Sequence, residues 1–280
     1  MAKSFLTVQN RLSQHELYRR VVYPRWRLAL ERRRQARVRR DPPTCPPGWT
    51  TGTPDFVGIG AQRCGTTWLY SLLERHPQVT SRYPKELMYF LTRSPPYESA
   101  HYQRYFPRAP GQIVGEWTPP YMLYEHTIAA LSKVAPGARL LVSLRDPVDR
   151  YRSAVSYFAG KAGSASTEVI QQQERSGLYA AQLEHVLQHF HRDQVLVLQY
   201  ERCRSSPLGE LRKIFAFLGI DPSFVPRGIG DPQNVLTRRS RPLDGDTMER
   251  LRALYRPEVE RLRDMVPHLD LGLWPLLYEG

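Results

Sequence analysis

Apolar positions along this chain change their spacing repeatedly, and the changes mark out its elements. Phe56–Ile59 is a short continuous apolar run ending at Gly60, the pattern of a strand buried on both faces. Comparable runs predict strands over 55–60, 78–82, 112–116, 139–144 and 194–200. Between them, apolar residues three and four apart predict helices over 65–75, 121–134, 147–159, 174–191 and 205–218, with a last helix near 245–264. Strands alternating with helices predict an α/β fold of three layers, α/β/α, around a central mostly parallel sheet. The stretch 160–173 (GKAGSASTEVIQQQ) reads as a loop, either mobile beside the site or an ordinary surface connection. Residues 41–54 (DPPTCPPGWTTGTP) read as a Pro/Gly linker. The expected organisation is a basic amphipathic helical extension over 1–40, the linker over 41–54, and one globular domain over 55–280.

Charge sharpens that division. The 280 residues hold 40 Lys and Arg against 27 Asp and Glu, and 12 of the basic residues fall in the first 40 positions, opposed only by Glu16 and Glu31. The extension makes the chain basic, and the domain is nearly balanced. Leu6, Leu12, Leu17, Val21 and Leu28 recur at intervals compatible with a helical stripe, which Pro24 interrupts. Such a segment packs on its own domain or a homodimer partner, lies on an anionic membrane surface, or binds an acidic glycan or carrier. No nucleic-acid module accompanies the charge, so nucleic acid is not an expected partner. No apolar run approaches the roughly 20 residues of a membrane span, and no uninterrupted apolar stretch follows the first basic residues as in a secretory leader. Cys45, Cys64 and Cys203 are odd in number and show no paired spacing. That argues against a disulfide framework or zinc site. A cytoplasmic protein, either free or peripheral to the membrane, is expected.

Two segments carry the chemistry. Gly58–Pro77 reads GIGAQRCGTTWLYSLLERHP, a strand, a glycine-spaced turn and a helix start, the layout that offers backbone N–H groups to a phosphate. Gly60 and Gly65 flank four residues, as in G-x-x-x-x-G-K-[ST], but Thr66 stands where an NTPase needs lysine, and Arg63 sits inside the turn. The loop suits phosphate but not a nucleoside triphosphate with magnesium. The second segment, Arg139–Ser153, reads RLLVSLRDPVDRYRS. Arg145 ends its apolar run, where ligands bind in open α/β sheets. Asp146 and Pro147 form an N-cap and first helical residue, and Ser153 follows about two helical turns on.

Together these segments resemble the sulfotransferases that use 3′-phosphoadenosine 5′-phosphosulfate (PAPS), in a form nearer the glycan and bacterial enzymes. The resemblance covers roughly residues 54–275. Further matches are KELMYF at 85–90, His76-Pro77, Tyr200-Glu201 and FAFLG at 215–219. It implies PAPS as sulfuryl donor and no metal. The 5′-phosphosulfate would be held by Arg63, Cys64, Gly65, Thr66, Thr67 and Trp68, and the 3′-phosphate by Arg145 and Ser153. Arg238, Arg239 and Arg241 would close over the nucleotide. Arg63 replaces a lysine of the family and is the expected catalytic cation, and Glu86 is the expected general base. Lys85, Glu116 and Trp117 are expected at the substrate, with Glu116 a rival base. Trp117 replaces a lysine of the family's E-K-[ST]-P-x-Y pattern, which suits an apolar, aromatic or neutral sugar acceptor. Two alternatives stay open: a phosphate-loop kinase, and a non-catalytic nucleotide-binding scaffold. The acceptor hydroxyl or amine belongs to a small molecule such as a natural product, a glycan or a glycolipid.

Overall fold

Successive residues of the apolar runs face opposite ways, and this divides the core in two. In the computed structural model, which describes residues 41–80, 85–93, 95–162, 166–229 and 242–278, four strands form one sheet. They are β2 (Phe56–Gly60), β4 (Gly115–Trp117), β5 (Arg139–Leu144) and β6 (Val195–Gln199); short β1 (Thr50–Thr51) and β3 (Pro107–Arg108) pair separately, antiparallel. The order is β4-β2-β5-β6 and every neighbour is parallel. Val57, Ile59, Leu140, Val142, Val195 and Val197 enter one core, while Phe56, Leu141 and Leu198 enter the other.

Helices cover both faces, as a parallel sheet requires. Numbered in chain order they are α1 (Thr66–Leu73), α2 (Tyr89–Thr92), α3 (Ser99–Gln103), α4 (Glu125–Val134), α5 (Pro147–Ala162), α6 (Thr167–Arg175), α7 (Tyr179–Leu187), α8 (Tyr200–Ser205), α9 (Pro207–Leu218), α10 (Gly245–Met265) and α11 (Pro275–Tyr278). Ile128 of α4, Leu183 of α7 and Val259 of α10 pack on the first face. Leu69 and Leu72 of α1 and Ile214 of α9 pack on the second. This is the three-layer α/β/α architecture expected from the alternation of strands and helices. β2 lies between β4 and β5, so the chain moves to opposite sides of it, and its carboxyl end is the topological switch point where ligands bind. At Gly58 a Cβ would lie 2.0 Å from Cγ of Trp117, so β2 admits only glycine there.

Several boundaries differ from expectation. The strand expected over 78–82 is reduced, among the described residues, to one parallel bridge between Val79 and Ile113. The helix expected over 174–191 is two, α6 and α7, broken where Gly177 meets Tyr255; a Cβ there would stand 2.6 Å from the ring. The expected loop over 160–173 is mostly helical. α5 runs on to Ala162, and α6 starts at Thr167 behind Ser166, whose side chain accepts from Val169 N. The polar composition that suggested a loop is the outer face of α6, on which only Gln173 is buried. Residues 41–54 are tied in at their end: Arg108 bonds the Thr53 carbonyl and pairs with Asp55.

Candidate active site

Three contacts fold the loop after β2. Ala61 N donates to the Ser143 carbonyl at 2.9 Å, Ser143 Oγ donates to the Cys64 carbonyl at 2.7 Å, and Arg145 Nη1 donates to the Arg63 carbonyl at 3.2 Å. They hold two left-handed residues, Arg63 at φ 67° and Gly65 at φ 75°. At Gly65 a Cβ would lie 2.6 Å from the Tyr200 ring. At Arg63 the conformation costs a side-chain-bearing residue roughly 1–3 kcal/mol, a strain that clusters at functional positions. α1 then begins with no side-chain cap. Its first N–H groups and the positive end of its dipole are left for an anion.

A cation and a carboxylate meet that helix end. Lys85 Nζ lies 3.0 Å from Thr66 Oγ1, 3.3 Å from Thr67 Oγ1 and 3.1 Å from Glu86 Oε1. Burial pulls the Lys85 ammonium below the ordinary lysine range, against the opposing pull of Glu86. The Glu86 side chain is 42% exposed, so its other lone pairs face solvent.

The segment that carries this pair is clamped from β4 and the turn after it. Trp117 N donates to the Lys85 carbonyl at 2.7 Å. Leu87 N donates to Glu116 Oε2 at 3.1 Å, Met88 N to Thr118 Oγ1 at 3.2 Å, and Tyr89 N to Tyr121 OH at 2.7 Å. Glu116 also accepts from Thr118 Oγ1 at 2.6 Å, Tyr102 OH at 2.7 Å and Tyr121 OH at 3.2 Å. It is 1% exposed, and burial raises its pKa although those donors pull the other way. The expected substrate roles of Glu116 and Trp117 are therefore corrected. Glu116 has its oxygens filled and no path to an acceptor. Trp117 is fully buried, with Nε1 donating to the Gly60 carbonyl at 3.2 Å under the loop.

Arg145 and Ser153 bound the other side. Asp146 caps α5 as expected, accepting from Val148 N at 2.9 Å and Asp149 N at 3.2 Å. One turn on, Asp149 accepts from Arg145 Nε at 2.8 Å and pairs with Nη2. Burial alone would lower the Arg145 pKa, but Asp149 outweighs it and the net shift is upward. The Arg145 guanidinium also lies 4.9 Å from the Tyr200 ring centroid. Ser153 is buried, and its Oγ accepts from Arg63 Nε at 3.4 Å. The Arg63 guanidinium thus points along α5, 4.4 Å from the Tyr157 ring centroid. It is Lys85, and not Arg63, that bonds the hydroxyls at the start of α1.

The remaining expected residues divide. Cys64 is buried with its thiol pushed up to about 11 by burial and its Sγ 3.8 Å from Tyr179 OH; only its backbone faces the loop chemistry. Trp68 leaves its indole N–H buried with no hydrogen-bond partner, as is Gln62 Oε1 inside the loop. These orphaned atoms fit a site that is completed by a ligand. Arg238, Arg239 and Arg241 lie outside the described residues.

A sulfotransferase-domain family model matches residues 53–240. The chain belongs to that family. It is 29% identical to heparan sulfate glucosamine 3-O-sulfotransferase 3B1 of Homo sapiens over 258 residues, covering 78% of this chain and 64% of the relative. It therefore spans less than two thirds of that relative. The sulfotransferase of Alicyclobacillus acidocaldarius superposes with a TM-score of 0.62 at 26% identity, covering 80% of this chain and 99% of that one. A membrane-associated sulfotransferase, kil1, of Dictyostelium discoideum is 33% identical over 114 residues, 39% of this chain and 24% of the relative.

These relatives overturn the cytoplasmic expectation, since one is named as membrane-associated. Cys64 and Cys203 are buried free thiols whose pKa values burial raises. No helix among the described residues is long and apolar enough to cross a membrane. Membership of the sulfotransferase family sets the kinase reading aside. Sequence reasoning missed Asp149, Tyr157 and Tyr200 as partners of the two arginines. Asp149, four residues after Arg145, was visible as an i,i+4 pair; the two tyrosines become neighbours only through the fold.

Proposed function

We propose that this chain moves a sulfuryl group from PAPS to a hydroxyl of a glycan-type acceptor. The observation that carries the reading is the linked set Thr66, Thr67, Lys85 and Glu86, a cation and a carboxylate joined at an uncapped helix start. Glu86 takes the proton of the acceptor hydroxyl as its oxygen attacks sulfur. The bond from sulfur to the bridging oxygen breaks, and charge builds on the departing phosphate. Lys85 and the N–H groups at the start of α1 stabilise that charge in place, which is where preorganised electrostatics act. Arg145 and Ser153 hold the 3′-phosphate, and Trp68 and Gln62 supply unpaired polar atoms toward the nucleotide. Residues 55–280 are the catalytic unit, with 41–54 as link and 1–40 as extension. The glycan class is supported by the heparan sulfate relatives.

Titration calorimetry with 3′-phosphoadenosine 5′-phosphate, beside ATP–magnesium and AMP, tests the donor. The bisphosphate is expected to bind most tightly, and Arg145→Ala to weaken it by about 10- to 100-fold, the worth of charge-assisted bonds. ATP–magnesium binding more tightly would overturn the reading. Labelled sulfate transfer to neutral against sulfated oligosaccharides tests the acceptor.

A further inference from the structure

We propose that Tyr157 is a positioning residue for Arg63, holding its guanidinium beside the donor site through its aromatic face. The proposal rests on the sulfotransferase reading above. The backbone of Arg63 is fixed in the left-handed region by the bond from Arg145 to its carbonyl. Its side chain has weaker anchors. Among the described residues no carboxylate pairs with it, and its bond to Ser153 Oγ is long at 3.4 Å. Burial lowers the Arg63 pKa, and the like charge of Arg145 adds to that. The Tyr157 ring centroid lies 4.4 Å from the guanidinium carbon, within the range of a cation–π contact.

The local geometry is compact. Ser153 and Tyr157 are four residues apart on α5 and share one face, so one helix presents a hydroxyl to Nε and a ring to the guanidinium. A planar guanidinium suits such a ring better than a point-charge ammonium does. Tyr157 thereby makes an arginine workable at loop position 63.

The test is a double-mutant cycle on the full chain, read by calorimetric affinity for 3′-phosphoadenosine 5′-phosphate and by turnover with PAPS. Tyr157→Leu is expected to weaken bisphosphate binding about tenfold, the scale of a partly desolvated cation–π contact. Tyr157→Phe, which keeps the ring, should stay within about twofold of the parent. In an Arg63→Ala background, Tyr157→Leu should cost nothing more, because its partner is already gone. Tyr157→Gln carries the same expectation as Tyr157→Leu and replaces it if leucine unsettles the helix. Additive losses, or Phe behaving as Leu, would overturn the assignment. A parent protein that binds no bisphosphate would instead remove the donor reading, and this proposal with it.

Discussion

Glu86 and Glu116 entered as rival bases, and the structure treats them in opposite ways. Glu86 is 42% exposed and bonded to Lys85 at the loop. Glu116 is 1% exposed and accepts four hydrogen bonds, from Leu87 N, Thr118, Tyr102 and Tyr121. A carboxylate acts as base only when an oxygen is free to reach the proton. Glu116 has spent that capacity on clamping the segment that presents Glu86. Under the proposed mechanism the same residue type serves as chemistry in one segment and as scaffold in the next.

The deepest break in this comparison comes from Glu86→Gln. Turnover should fall roughly 100- to 10,000-fold, the usual worth of a positioned base, while stability changes by no more than about 0.5 kcal/mol at this surface-facing site. Unchanged turnover would remove Glu86 from the reaction. Glu116→Leu should act on stability instead. Each buried donor left unpaired costs roughly 1–3 kcal/mol, so a loss of at least about 3 kcal/mol is expected in denaturant melts. If that variant, kept cold and folded, lost turnover as deeply as Glu86→Gln, the two roles would have to be exchanged.

Lys85 sharpens the contrast through pH. Its pKa is lowered by burial, with Glu86 opposing. The ammonium is present below that folded value and is lost as pH rises through it, earlier than in an ordinary lysine. Turnover should decline on the alkaline side below the ordinary lysine range, and Lys85→Arg should remove that limb because a guanidinium stays charged. For folding the sign is the reverse of a stabilising pair. The unfolded chain binds the proton more tightly, so the penalty is full below the folded pKa and eases as pH rises toward the ordinary value. A pH–rate profile of the two proteins decides it; coincident alkaline limbs would exclude Lys85.

The smallest effect is expected at Cys64. Its thiol, buried and pushed up to about 11, should resist iodoacetamide near pH 8 in the native protein and react once unfolded. Fast native labelling would show that the loop opens.

Much of the local structure of the proposed donor side was legible in the chain. The turn from Gly60 to Thr66, the Asp146 cap and the Arg145–Ser153 spacing are local patterns, set by backbone sterics and helix period. The acceptor side was not. Trp117 was expected at the substrate, and nothing local says that Gly58 opens a slot under it. The loop expected over 160–173 failed because a polar outer face resembles a loop until the core beneath it is seen.

Sequence by itself determined the α/β/α layering and the glycine-spaced turn after β2, and the family resemblance pointed to Lys85 and Glu86. Hydrophobic period and turn chemistry are properties of neighbours along the chain, so they survive without coordinates. Tertiary structure alone decided which glutamate is free, that Trp117 is buried, and that Arg63 rests on Tyr157 while Lys85 reaches Thr66 and Thr67. Those outcomes depend on burial and on donors from distant segments, and burial is a property of the packed molecule.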